Sequence, residues 1–183
     1  MAGPHQPQLV FIDGSFEELA QEMADFLSIS DEVKPFIEKK QKDDILKKLI
    51  IASPALHSIP EKEFAGAYNL LVYLVLQSDK AEMFLPRVCD NLMKPVTSSP
   101  INGPGLALNV LTTIFNMLKP DNELRFNVFM AILRFLKFHG MFENLKPYLK
   151  NLDTWMEDWE TDSDDQRQAY EAIAETAQEA GDS

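Results

Sequence analysis

The chain has 183 residues, of which 45% are hydrophobic, 25% charged and 10% aromatic, and these proportions exclude a collagen-like or wholly disordered protein. A chain of this length can bury a core without disulfide bonds, and its single cysteine, Cys89, indicates a reducing compartment. The net charge is −12, but it is uneven: residues 61–150 hold ten basic and eight acidic side chains, whereas residues 151–183 hold one basic and eleven acidic ones. Nucleic-acid binding depends on neutralising phosphates, so a chain this acidic is poorly suited to dominate such contacts. The near-neutral middle leaves open a contact with RNA as one piece of a larger surface.

The N-terminal quarter predicts a flexible segment over residues 1–14, followed by helices. Ser15 and Glu18 form a capping box, the pattern with which many helices begin. The apolar residues behind it recur at helical spacing: Phe16, Leu19, Met23 and Leu27. A second helical stretch is predicted over 32–52, with a break near Lys42 because the middle of the stretch is entirely polar.

The middle of the chain predicts the centre of the core. Pro54 and Pro60 indicate a loop before a helix that runs from Glu61 to Gln77. That helix is apolar on nearly all sides, which is typical of a helix in the interior of a domain. Asp79 with Glu82 then predicts the N-cap of another helix, and residues 95–105 predict a solvent loop. That further helix is expected to run to about residue 93.

The rest of the chain repeats the helical pattern. A helix over 106–118 is followed by one over 122–138 that is capped by Asp121 and ends at Gly140. Three more helices are predicted over 142–149, 152–159 and 164–180. The core is expected to include Leu74, Phe115, Phe129 and Leu133.

These helices predict an all-α fold for residues 15–183. They group into pairs that begin about 46, 45 and 36 residues apart, which is close to the spacing of helical repeats. The spacing favours stacked antiparallel helix pairs, a solenoid of the TPR or HEAT kind. An irregular single bundle is the alternative.

Residues able to perform catalysis or bind metals are scattered. His5, His57 and His139 lie far apart in sequence, and none of them has a partner at metal-ligand spacing. His139, just before Gly140, is typical of a cation at a helix C-terminus, and Cys89 is typical of a small buried residue. We therefore expect a non-enzymatic protein that needs no cofactor or metal.

Two tryptophans form the most distinctive local pattern. Trp155 and Trp159 are four residues apart, so they share one face of the helix predicted there. They are either core anchors for the short helices or an exposed contact for a partner protein, since tryptophan is enriched in interface hot spots. An acidic run around them, over 158–169, has the wrong residues at two positions of a calcium-binding loop.

No membrane segment is indicated. The longest apolar run, 70–76, has seven residues, whereas a spanning helix needs about 20. The N-terminus also has no signal-peptide pattern. A cytoplasmic protein is therefore expected.

Several motifs in order resemble subunit M of eukaryotic translation initiation factor 3. They are V-F-I-D at Val10–Asp13, L-x-x-L-x-x-x-F ending at Phe115, P-D-N from Pro120, R-F-x-V-F at Arg125–Phe129, W-x-x-D-W at Trp155–Trp159 and Y-E-A from Tyr170. The resemblance covers nearly the whole chain, more loosely over 28–100, and it looks most like a fungal member.

The resemblance implies helical repeats followed by a winged-helix PCI module, which has no counterpart in this sequence, so an N-terminal part is expected. It also implies a non-catalytic scaffold that contacts other subunits of the factor and, through the complex, the small ribosomal subunit. Sequence-specific nucleic-acid binding and membrane binding are not expected. A sister PCI scaffold, in the proteasome lid or the COP9 signalosome, is the alternative.

Overall fold

The structure, a computed structural model, describes residues 14–94, 96, 101–119, 122–145, 167–168 and 170–175. In these ranges it is helical and has no strand, which confirms the all-α prediction. The α-helices are α1 Phe16–Phe26, α2 Ser30–Glu38, α3 Lys42–Ala52, α4 Glu61–Leu76, α5 Ala81–Asn91, α6 Gly103–Met117 and α7 Glu123–His139. Two 3-10 helices, Ser53–Ser58 and Phe142–Leu145, follow α3 and α7. Residues 170–175 are also helical.

The first helix begins as its capping pattern predicts. The Oγ of Ser15 accepts a hydrogen bond of 3.1 Å from the backbone N–H of Glu18, which satisfies one of the free donors of the first turn. The predicted stripe, Phe16, Leu19, Met23 and Leu27, is buried. The apolar periodicity and the N-cap residue therefore both predicted α1.

The break predicted near Lys42 occurs just before it, and its geometry is specific. After α2, Lys40 has a positive φ of 55°. Its N–H bonds to the carbonyl of Ile37, and the N–H of Gln41 bonds to the carbonyl of Phe36 at 2.9 Å. This is the Schellman arrangement, which normally places glycine at the left-handed position. Ser28, with φ 62°, ends α1 in the same way.

Other predicted boundaries were wrong by a few residues. The loop between Pro54 and Pro60 is largely a 3-10 helix. Asp79 is not the N-cap of α5: Lys80 is, and the Oγ of Ser78 accepts its N–H at 3.0 Å. The start of α7 is capped by Asn122, whose side chain accepts the N–H of Leu124.

The glycines before α6 also behave differently from the prediction. Gly103 and Gly105 were expected in a loop that ends at 105, but α6 already begins at Gly103. Pro104 occupies the first turn, where its missing N–H costs no helical hydrogen bond. A Cβ on Gly103 would lie 2.9 Å from the Cβ of Val96, so this glycine permits a close approach.

The chain divides into two compact units between Thr113 and Ile114. In the first unit, α1 packs against α2 and α4, and α3 packs against α2, α4 and α5. Helix α4 has the central place predicted for it, since its fully buried side chains are Phe64, Tyr68, Leu71, Val72, Leu74 and Val75. Stacking of antiparallel pairs remains a prediction.

The second unit has its own buried core. The end of α6, α7 and residue 173 contribute Ile114, Phe115, Leu118, Val128, Phe129, Ile132, Leu133, Phe135, Leu136 and Ile173. The rings of Phe115 and Phe129 are 6.3 Å apart. All four predicted core residues, including Leu74 of the first unit, are buried.

No described helix combines the length and the apolar character that crossing a bilayer requires.

Candidate functional site

The tryptophan pair lies outside the described residues. The structure gives no placement for Trp155, Trp159 or the rest of the predicted helix 152–159, nor for the acidic run 158–169 except at residues 167 and 168. Both interpretations of the tryptophan pair, as core anchors or as a contact for a partner protein, therefore remain predictions.

His57 is part of a buried aromatic cluster. It lies in the 3-10 helix Ser53–Ser58, is 3% exposed, and its Nε2 is 2.6 Å from the hydroxyl of Tyr68 on α4. The ring of Phe64 meets the imidazole edge-on at 5.5 Å between centroids. Burial raises the pKa of Tyr68, so this hydroxyl keeps its proton. The pair is suited to holding the 3-10 helix against α4.

His139 lies in the last turn of α7, as predicted, but beside two phenylalanine rings. The helix does end at Gly140, which adopts the left-handed conformation expected of a C-terminal glycine. The rings of Phe135 and Phe138 lie 4.3 Å and 4.9 Å from the imidazole, and burial lowers the pKa of His139. Desolvation favours the neutral form, against the attraction of the helix dipole for a cation.

Cys89 lies on the inner face of α5 and is 2% exposed, which confirms the prediction of a small buried residue. His5 lies outside the described residues. Over the described ranges, no group of three histidine, cysteine, aspartate or glutamate side chains is close enough to hold a metal ion.

A polar cleft of about 400 Å³ opens between the turn before α3 and the turn before α5. The Nζ of Lys80 lies 3.0 Å from Asp43, and the hydroxyl of Ser78 donates to the same carboxylate at 3.5 Å. The carboxylate of Asp43 is thus engaged by two groups of the opposite turn. Sequence reasoning missed this contact, because its members are 35 or more residues apart and belong to two unrelated turn patterns.

A second polar network joins α3 to α5. The amide nitrogen of Asn91 donates to the carbonyl of Ile50 at 3.1 Å and to the hydroxyl of Ser53 at 2.8 Å. Ser53 is fully buried and donates to the same carbonyl at 2.7 Å. These bonds satisfy polar groups where α3 ends, a point at which helical carbonyls lack partners.

The described residues thus define an all-helical protein in which buried polar side chains tie neighbouring elements together, as His57 does with Tyr68 and Ser53 with Asn91. No family model matches the chain, and no solved structure matches it. Curated relatives do. The chain is 53% identical over 96% of its length to eukaryotic translation initiation factor 3 subunit M of Chaetomium globosum, and 51% identical over its whole length to that of Pyricularia oryzae.

The subunit M of Phaeosphaeria nodorum is 43% identical, again over the whole chain. The chain spans less than half of these relatives, 41%, 43% and 45% of their lengths in the same order. The resemblance noted from the motifs is confirmed: the chain is homologous to initiation factor 3 subunit M over nearly its whole length, and these relatives are fungal.

Proposed function

We propose that the chain is part of a subunit of translation initiation factor 3, and that it acts there as a non-catalytic scaffold in the cytoplasm. Its partners are other subunits of the factor, and through them the small ribosomal subunit during assembly of the initiation complex. The identity of 51–53% to proteins named subunit M carries this proposal.

The surface of the helices supports a scaffold role. Several large apolar side chains are exposed on them or beside them, among them Ile51 at 76%, Ile101 at 93% and Phe138 at 73%. Contiguous apolar surface marks interaction sites, and of these three side chains Ile51 lies beside Pro54 in one groove.

The alternative is a PCI scaffold of the proteasome lid or the COP9 signalosome. Fold alone does not separate it from the first proposal, because helical folds serve many complexes. Sequence identity favours the initiation factor, since relatives 43–53% identical to the chain carry that name.

Affinity purification separates the two. The chain, tagged and expressed in a fungus at its natural level, should co-purify other subunits of initiation factor 3 and proteins of the small ribosomal subunit. A variant with Leu74→Asp, which places a charge at a fully buried position of α4, controls for binding by unfolded chain. Enrichment of proteasome-lid or signalosome subunits in place of initiation factor subunits would contradict the proposal.

A further inference from the structure

A groove on the first unit combines an exposed aliphatic side chain with basic residues. It lies between the end of α3 and the exposed side of α5, has a volume of about 300 Å³, and is lined by Ile51, Pro54, Arg87, Asp90 and Lys94, among others. That volume is at the lower end of the range for ligand pockets, so it suits one anchoring side chain.

The apolar part of the groove centres on Ile51. This side chain is 76% exposed, although its neighbour Ile50 is buried in the core. Exposing an isoleucine forfeits the free energy that burial would give, roughly 25 cal/mol for each Å². Pro54 extends the apolar surface from the following 3-10 helix. A partner that covers Ile51 would recover this free energy.

The charged part of the groove is basic, in a chain whose net charge is −12. Arg87 and Asp90 lie on α5, and Lys94 follows three residues after the end of that helix. Lys47 and Lys48 are exposed one turn before Ile51 on α3. The groove lining thus carries two cations against one aspartate, and the two α3 lysines add positive charge one turn from Ile51. This excess of positive charge would attract acidic side chains.

The floor of the groove is already fixed. Asn91 lines it and bonds to both Ile50 and Ser53, which ties α5 to the end of α3. A site held by buried hydrogen bonds loses little conformational entropy when a partner binds. The groove is therefore preorganised.

We propose that this groove binds an acidic protein segment that places one aliphatic or aromatic side chain on Ile51. RNA fits less well. Asp90 would repel a phosphate, and the lining contains no aromatic ring on which a base could stack. Binding is a property of the isolated chain, so it does not depend on the initiation factor assignment.

The test is a selection from a phage-displayed library of random peptides of about 12 residues, carried out on the purified chain and counter-selected on an Ile51→Glu variant. The expected peptides are rich in aspartate and glutamate and contain an aliphatic or aromatic residue. The most enriched peptide, synthesised with a fluorescent label, should lose roughly tenfold or more in affinity with Ile51→Glu or with Arg87→Glu combined with Lys94→Glu.

Two matched variants serve as controls. Ile101→Glu makes the same change at an isoleucine that is 93% exposed outside the groove, and Lys34→Glu reverses an exposed charge on α2. Both should change the affinity less than about twofold, and thermal melts should show every variant folded. The affinity should also fall as salt is added, because exposed charges are screened.

Three results would overturn the proposal. One is that no peptide is enriched over the Ile51→Glu counter-selection. Another is that the enriched peptides are neutral or basic, or that Ile101→Glu weakens their binding as much as Ile51→Glu does. The third is that a labelled oligouridine binds more tightly than the peptides and is released by Arg87→Glu but not by Ile51→Glu, which would make the groove an RNA surface.

Discussion

The hydroxyl of Tyr68 and the imidazole of His57 face each other inside the first unit, 2.6 Å apart and closed to solvent. Replacing Tyr68 with phenylalanine removes the hydroxyl and keeps the ring. The free energy of unfolding should fall by about 1–3 kcal/mol, because the buried imidazole loses a hydrogen-bond partner. Urea denaturation measures this change.

Tyr73→Phe on the same helix is the matched control, since Tyr73 is only partly buried. It should cost less than about 0.5 kcal/mol. Equal losses in both variants would show that the His57–Tyr68 contact contributes nothing specific.

His139 gives the protein a pH dependence whose sign can be stated. Burial lowers the pKa of the folded residue below the ordinary value of 6.5, so below that pH the unfolded chain binds more protons than the folded one. This contribution is full above pH 6.5 and is lost as the pH falls through the lowered value.

Replacing His139 with glutamine should therefore reduce the fall in melting temperature between about pH 7.5 and about pH 5.5. The effect should be small, because much of the imidazole reaches solvent and is screened there. A steeper fall in the variant than in the parent chain would mean that the protonated form is stabilised by the helix terminus.

Two helix ends in the first unit use left-handed residues that are not glycine. The positive φ of 55° at Lys40 brings its Cβ into steric conflict with the backbone, and a glycine has no Cβ. Lys40→Gly should therefore stabilise the chain by about 0.5–1 kcal/mol. The neighbouring Lys39 has a φ of −90°, so Lys39→Gly should destabilise it instead. Thermal melts with the same sign of change in both variants would contradict this reading of the α2 terminus.

The hydrogen bonds of Asn91 link two helices, because they join α5 to the end of α3. Asn91→Ala removes the donor to Ile50 and Ser53, and should cost about 1–3 kcal/mol because buried polar atoms are left without it. Hydrogen exchange at the end of α3 should rise as well. Unchanged hydrogen exchange there would show that these hydrogen bonds do not stabilise the first unit.

Sequence patterns predicted the helices better than they predicted the contacts between side chains. Periodicity and caps located α1 and α7 to within a residue or two, because apolar spacing and a cap residue act locally. The break near Lys42 was predicted, but the left-handed conformation of Ser28 and Lys40 was not, since glycine and asparagine are its usual signals in a sequence. The start of α6 was missed because proline and glycine indicate turns more often than a first helical turn.

The sites were harder to predict, for a physical reason. His57 and Tyr68 meet because a 3-10 helix folds back on α4, and Asn91 reaches residues 38 and 41 positions earlier. Contacts of that kind depend on tertiary packing, which no local spacing encodes. One signal was available: Ile51 lies outside the apolar stripe of α3 formed by Ile45, Leu46, Leu49 and Ile50, so its exposure could have been predicted.

At the scale of the whole molecule, the stability of each unit depends on its buried core. Leu74 is fully buried on the central helix α4, and Leu74→Ala should cost about 2–5 kcal/mol through lost burial and a residual cavity. Ile51→Ala, at a position 76% exposed, should cost under about 0.5 kcal/mol. If urea denaturation gave similar losses of unfolding free energy for the two variants, the buried and exposed faces of α3 and α4 would be wrongly assigned.

We proposed above that the chain works inside translation initiation factor 3. Sedimentation of a gently fixed fungal extract through a sucrose gradient, with the tagged chain followed by immunoblotting, tests it most directly. The account predicts that the chain moves with other subunits of the factor and with small ribosomal subunits, and that the Leu74→Asp variant stays near the top. A chain that folds but remains near the top, or that moves with the proteasome, would contradict the account.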